Sequence, residues 1–269
     1  MPRVAELLDA FDAQLRDRVS GRLPHGVHVE RDGPLLRVRG LQNGGFVLYR
    51  DLGGLESADL DELIARQLHV FGERGERFEW KVYGHDLPAD LPQRLRAAGF
   101  VPEDVETVVI ATVAEVAGRP VLPAGVALRE VSDRADFDRI ADLQQAIWQD
   151  DGYSLLLEEL WAERAVDPEA LSVVAAEAGS EIVCAAWVRF EQGTEFATLW
   201  GGGTLPAWRR RGIYRAIVLY RAGLAAERGF RFVSVDASDD SRPILERLGF
   251  VAVTTTTPFV WSPPTAGVS

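Results

Sequence analysis

Apolar positions recur at helical spacing in the opening stretch. Val4, Leu7, Leu8, Phe11, Leu15 and Val19 share one face of a helix that closes near Gly21. The period then shortens to two. Strand-like runs at 27–30, 35–40 and 46–51 are separated by Arg-Asp-Gly-Pro and Asn-Gly-Gly turns. A second helix is predicted over 59–71, where Asp59 and Glu62 fit a capping arrangement. A strand at 78–83, a short helix over 91–98 ending in Gly99-Phe100, and a strand at 106–113 complete this half. Residues 114–125 are small, contain Pro and Gly, show no period, and read as a linker.

Beyond it the pattern resumes with a strand at 126–131. Ser132 and Asp133 can cap a helix running to about Trp148. A polar break at 149–153 precedes a helix over 154–165. Strands at 172–178 and 181–191 form a hairpin about Gly179-Ser180, and a third strand spans 194–204. Three glycines, Gly201 to Gly203, and Pro206 lead to Arg209, Arg210, Arg211 and Gly212. Ile213, Ile217, Tyr220 and Leu224 then mark a helix that Gly229 stops. A strand at 230–236, a short helix at 242–248, Gly249-Phe250 and a last strand at 254–261 follow. The tail, 263–269, is expected to be disordered.

The halves rhyme. RFEWKVYGHD and LPQRLRAAGFV in the first parallel RFVSVDASDD and RPILERLGFV in the second, as in a diverged duplication. The expected fold class is α/β (α+β): two lobes, each a mixed, mostly antiparallel sheet flanked by helices. The expected domains are 1–118 and 126–262, joined by a linker at 119–125.

Charge sharpens one stretch. The 269 residues carry 29 basic and 41 acidic side chains, a formal net charge of −12. That excess argues against a general binder of nucleic acid or of anionic membranes. The arginines at 209–211 and 215 are then a local exception. Cations are unfavourable where a helix begins, because its first amides lack internal partners and its dipole is positive there. A bound phosphate or pyrophosphate would resolve the conflict; a solvated basic turn is the other reading. Cys184, the only cysteine, sits in an apolar strand-like run and reads as packing. The first residues lack a signal-peptide core, no run approaches ~18 apolar residues, and a cytoplasmic protein is expected.

From Val126 to Trp261 the chain resembles the GNAT-type N-acetyltransferases. Their Arg/Gln-x-x-Gly-x-Gly/Ala motif is matched by Arg209-Arg210-Arg211-Gly212-Ile213-Tyr214, with Tyr214 in place of a small residue. Gly249-Phe250 matches the family's terminal Gly-Phe. The resemblance implies a tandem arrangement with a degenerate first half and acetyl-CoA as co-substrate, without a metal. It implies that Arg209, Arg210, Arg211, Gly212, Ile213, Tyr214 and Arg215 hold the pyrophosphate, mainly through backbone amides. Thr204 and Leu205 would then bond the pantetheine arm and polarise the thioester carbonyl. Ser238 stands where many members carry an arm-binding Asn, and Leu245 where many carry a thiolate-protonating Tyr. A Tyr214 side chain leaning outward would be compatible with the phosphates. The first half's corresponding helix start carries Glu56, Asp59, Asp61 and Glu62, which repel a pyrophosphate, so one cofactor site is expected.

Acyl transfer to an amine needs a proton acceptor. His25, His28, His69 and His85 all lie in the first half, and the strand at 198–202 holds no carboxylate. Glu195 and Asp236 are the candidates in the second half, each also readable as a structural surface residue. His85-Asp86 reads as a cap and turn, and becomes a base candidate only if His85 faces the second half's cleft. The resemblance implies that the acceptor meets the break at 148–153, where Trp148, Asp150, Asp151 and Tyr153, with Trp200, would suit a cationic or amine-bearing small molecule; an ordinary acidic loop with Trp148 in the core is the other reading. The expected activity is acetyl transfer to a small-molecule amine by a monomer or homodimer, with no nucleic-acid or membrane partner. The alternatives are a non-catalytic acyl-CoA-binding or scaffold protein and, more remotely, an arginine cluster that binds nucleic acid.

Overall fold

Alternating strands and three-to-four-spaced helices succeed one another much as the apolar pattern predicts. A computed structural model describes residues 2–19, 21–149 and 152–264. The first half comprises α1 (Pro2–Gln14), β1 (His28–Asp32), β2 (Leu35–Arg39), β3 (Gly45–Leu48), α2 (Ser57–Glu73), β4 (Phe78–Tyr83), α3 (Leu91–Ala97), β5 (Val101–Pro102), β6 (Glu106–Thr112) and α4 (Val113–Val116). The second comprises β7 (Val126–Val131), α5 (Arg134–Trp148), α6 (Gly152–Val166), β8 (Leu171–Ala178), β9 (Glu181–Phe190), β10 (Phe196–Thr204), a 3-10 turn (Pro206–Trp208), α7 (Ile213–Glu227), β11 (Phe232–Ala237), α8 (Arg242–Arg247) and β12 (Val251–Trp261).

Several boundaries differ from expectation for local reasons. Helix α1 stops at Gln14, well short of Gly21. Helix α2 starts at Ser57 with Glu56 in the capping position and no side-chain cap bond, so Asp59 and Glu62 do not cap it. The linker begins inside a capped turn, because Thr112 and Glu115 form a capping box on α4. Asp133 does cap α5, its carboxylate accepting from the Asp136 amide. The expected disordered tail falls, from residue 265 onward, outside the described residues.

Among the described residues the strands form one twelve-stranded mixed sheet in the order β1-β2-β3-β4-β12-β6-β11-β10-β9-β8-β7, with β5 against β12. Only β3–β4 and β10–β11 are parallel there, one pair in each half. The two halves trade closing strands. β12, from the end of the chain, pairs with β4 of the first half, and β6 of the first half pairs with β11 of the second.

Strand alternation assigns the faces. On one, Val109, Ala111, Val233 and Ala237 pack against α7 and α8, and Phe78 and Trp80 lie in the core with Leu60, Leu63 and Leu95 of α2 and α3. On the other, Val108, Ile110, Phe196 and Phe232 pack against Leu7 and Phe11 of α1. Helices α5 and α6 cover the neighbouring part of that second face through Phe137, Ile140 and Leu160.

Candidate active site

The parallel pair β10–β11 is short. It pairs only Phe196 with Phe232, Ala197 with Val233 and Thr198 with Ser234, while β10 continues to Thr204 and β11 to Ala237. Beyond Thr198 the strands part and leave a wedge. The cause lies in β10, whose register against β9 slips between Gly201 and Gly203. Gly201 and Gly202 adopt φ of 68° and 103°, where a side chain would be strained. A Cβ on Gly201 would stand 2.5 Å from the Trp187 ring, and one on Gly202 2.6 Å from the Tyr214 ring.

Arg221 of α7 holds this bulge together. Its Nη1 donates to the carbonyls of Trp187 and Trp200, each at 2.8 Å, although the residue is 1% exposed. No carboxylate pairs with it among the described residues, and burial pulls its guanidinium down to about 10. The charge thus serves two strand carbonyls at the point where the ladder fails.

The chain then turns into α7. The Leu205 amide donates to Val183 O, so it is not free for the pantetheine arm as expected. Alternation turns Thr204 away from β9, and Arg209 Nε donates to the Thr204 carbonyl at 3.1 Å. Gly212, at φ 82°, occupies the helix-capping position without a side-chain cap. Ile213, Tyr214 and Arg215 supply first-turn amides that have no partner inside the helix. A Cβ on Gly212 would meet nothing within 4 Å, so the turn opens outward. Arg209, Arg210, Arg211 and Arg215 are exposed there, and none forms an ion pair among the described residues. Arg211 lies over the Trp208 ring at 4.8 Å.

Tyr214 does not lean outward. Its ring packs on Gly202 at the bulge that borders the wedge, and burial raises its phenol. Ser238 caps the start of α8, its carbonyl accepting from the Ser241 and Arg242 amides. Leu245 is fully buried.

A polar group gathers beside the wedge on the α1 face. Lys81 Nζ lies 2.9 Å from Asp236 Oδ2 and 5.6 Å from the centre of the Trp200 ring. Burial opposes the ammonium, but Asp236 and Glu79 outweigh it and hold Lys81 well above its ordinary value. Glu106, at the start of β6, is half-buried; burial and then the Asp236 charge push its carboxyl up to about 7. Nothing in the local sequence marks Glu106 or Lys81, both of the first half, as neighbours of a site in the second.

Other expected residues fall elsewhere. Glu195 lies at the far end of β10, bonded to Gln14 and Arg231, which hold its carboxyl low; it is a surface tether and not a base. Trp148 is 55% exposed, donates to Gln144 and stands over Gly203. Asp150 and Asp151 lie outside the described residues, and only the helical backbone of Tyr153 is described. His85 contacts Asp12 and Thr254, away from the wedge, while Asp86 accepts from Arg16, Tyr49 and the Tyr83 amide. Burial pushes the Cys184 thiol up to about 11, as suits a packing residue. Where the first half mirrors the arginine turn, a cavity of about 720 Å³ is lined by Asp9, Asp12, Asp51 and Glu56, with Arg50 the one arginine among its lining residues. No group of three or more His, Cys, Asp or Glu that could hold a metal occurs among the described residues.

Residues 137–250 match the model of the acetyltransferase (GNAT) family. Solved structures share the fold over nearly the whole chain. A GCN5-related N-acetyltransferase from Kribbella flavida is 14% identical, with a TM-score of 0.65 over 99% of this chain and 96% of its own. A conserved protein of unknown function from Staphylococcus epidermidis is 13% identical, with a TM-score of 0.66 over 89% and 95%. A tandem GNAT protein from the clavulanic acid biosynthesis pathway is 14% identical, with a TM-score of 0.60 over 96% and 94%. No curated protein matches the sequence.

Proposed function

We propose that the protein transfers an acetyl group from acetyl-CoA to the amine of a small molecule, because residues 137–250 match the model of the acetyltransferase (GNAT) family. One observation carries this reading: four exposed arginines with no ion-pair partner among the described residues surround the open, glycine-capped start of α7 beside the β10–β11 wedge. An anion there would meet backbone amides, the helix dipole and guanidinium groups together.

The residues fit the co-substrate in one part and narrow it in another. Gly212, Ile213, Tyr214 and Arg215 would hold the pyrophosphate through their amides, with Arg209, Arg210 and Arg211 around them. Thr204, whose backbone faces the wedge, would bond the arm, and Ser238 flanks it. When bound, the co-substrate supplies a thioester carbonyl open to attack. Trp148 and Trp200 border the acceptor side. Glu79, Glu103, Glu106 and Asp236 outnumber Lys81 there, which supports a cationic amine. We further propose that 1–118 and 126–262 are separate evolutionary units with one cofactor site, in the second, and that the protein acts in the cytoplasm as a monomer or homodimer. Among the described residues no helix is long and apolar enough to cross a membrane.

Tyr214 favours a second reading. Its ring packs on Gly202 at the edge of the wedge, as it would in a protein that keeps the fold without turnover. Calorimetry with acetyl-CoA on wild type, Arg211→Ala and Gly212→Val, followed by thiol release across an amine panel, separates the two. The transferase reading expects about one site per chain, weakened in both variants, and thiol release with at least one amine. Binding without turnover would favour a non-catalytic acyl-CoA-binding protein, and no binding would sink the transferase reading and leave a scaffold with this fold.

A further inference from the structure

We propose that Glu106, carried into the second half's wedge on the first half's closing strand, accepts the proton of the acceptor amine. The inference rests on the acyltransferase reading above. Strand β6 runs antiparallel to β11, with Thr107 opposite Ala237 and Val108 opposite Asp236. Glu106 therefore lies at the end of the ladder where β10 has already left β11. Alternation places it on the same face as Val108 and Ile110, and hence with Asp236, Lys81 and Trp200.

Its neighbours are charged on every side but one. Asp236 faces it from β11, Lys81 and Glu79 from β4, and Glu103 from the turn before β6. From β12, Thr256 sits directly across from both Glu106 and Tyr83. The Thr256 side chain is fully buried, and its Oγ1 has no hydrogen-bond partner among the described residues. A half-buried carboxyl beside an orphaned hydroxyl and an aromatic ring is a place for a polar ligand. A carboxyl poised near neutrality suits proton transfer at working pH. Asp236, held by Lys81, is committed to an ion pair and positions the group instead.

The step balances. The acceptor nitrogen forms its bond to the acyl carbon and gives one proton to a Glu106 carboxylate oxygen. The C–S bond breaks with its electron pair on sulfur, and the proton passes through water to the thiolate, restoring the carboxylate. Leu245 offers no proton, so the relay returns to Glu106.

The test compares wild type, Glu106→Gln and Glu106→Asp with acetyl-CoA and the best amine of the panel. Expected for E106Q is a fall in kcat/KM of about 100-fold or more, loss of the acidic limb near pH 7, and unchanged acetyl-CoA affinity by calorimetry. E106D should recover part of the rate and keep a limb, and it carries the comparison if E106Q does not fold. Independently of turnover, carboxyl NMR of the protein alone should show Glu106 titrating near 7. A wild-type rate and limb in E106Q, or titration in the ordinary carboxylate range, would overturn the role. No acetyl-CoA binding by wild type would instead bring down the acyltransferase reading, and this role with it.

Discussion

Lys81 Nζ lies 2.9 Å from Asp236 Oδ2, and the two residues come from opposite halves of the chain. Strands β12 and β6 separate their own strands, a flat-sheet distance of about 14 Å at ordinary strand spacing. A lysine side chain closes that gap only because the sheet is concave on the α1 face. The contact therefore reports the curvature that forms the floor beside the wedge.

Removing the cation should expose that dependence. Both partners keep a little solvent contact, so the pair is neither fully buried nor a surface bridge. Lys81→Ala should destabilise the protein by about 1–3 kcal/mol, read from the urea midpoint, because Asp236 is left half-buried beside Glu79 and Glu106. Adding Asp236→Asn to that variant should restore part of the loss. A midpoint unmoved by Lys81→Ala would contradict the importance of the contact.

Glu106 makes stability depend on pH in a definite direction. Its carboxyl is raised from 4.5 to about 7 in the folded protein. The folded state then binds the proton more tightly than the unfolded one. That stabilisation is fully present below about pH 4.5 and is lost as pH rises through about 7. Glu106→Gln should accordingly be the more stable protein at pH 8.5, by about 1–2 kcal/mol after allowance for partial exposure. Urea unfolding of the two proteins at pH 5 and pH 8.5 checks this; parallel curves would count against it.

Arg221→Met keeps much of the buried volume but strips the Trp187 and Trp200 carbonyls of their donor. The expected cost is about 2–4 kcal/mol. The bulge at Gly201–Gly203 should loosen with it, so amide exchange in β10 should quicken more than in β8. Uniform exchange would mean that the guanidinium stabilises the core without shaping the bulge.

Tyr214→Ala removes a largely buried ring, at an expected loss of about 2–4 kcal/mol in thermal unfolding. If the ring must leave the wedge before the co-substrate enters, the apparent affinity carries that cost. Calorimetry should then show acetyl-CoA binding roughly three- to tenfold tighter in the variant. Equal affinity would place the ring outside the path of the arm.

Much of this could be read from residue order alone, where the cause was local. Strands β4 and β7 fall where alternation puts them, and Asp133 caps α5 as its position before an apolar helical run suggests. The arginine turn was legible because charge ran against helix electrostatics within a few residues. Arg221 was not: a lone arginine on a helix reads as solvent-facing, and its partners are carbonyls freed by a bulge on another element. Glu106 was hidden for a related reason. Its surroundings are set by Asp236 and Lys81, which are 155 residues apart in the chain, and no local period records which strand will lie beside which. Tyr214 was visible as a departure, but its direction depended on Gly202, which alone leaves room for the ring.

The traded strands also bear on how the molecule is made. β4 is synthesised long before its neighbour β12; the His85–Thr254 contact beside this pair spans 169 residues. Neither half can close its sheet while the other is missing, and each alone would present a bare strand edge open to improper association. Synthesis of β12, and not completion of the first half, is thus the event that lets the first half's sheet close.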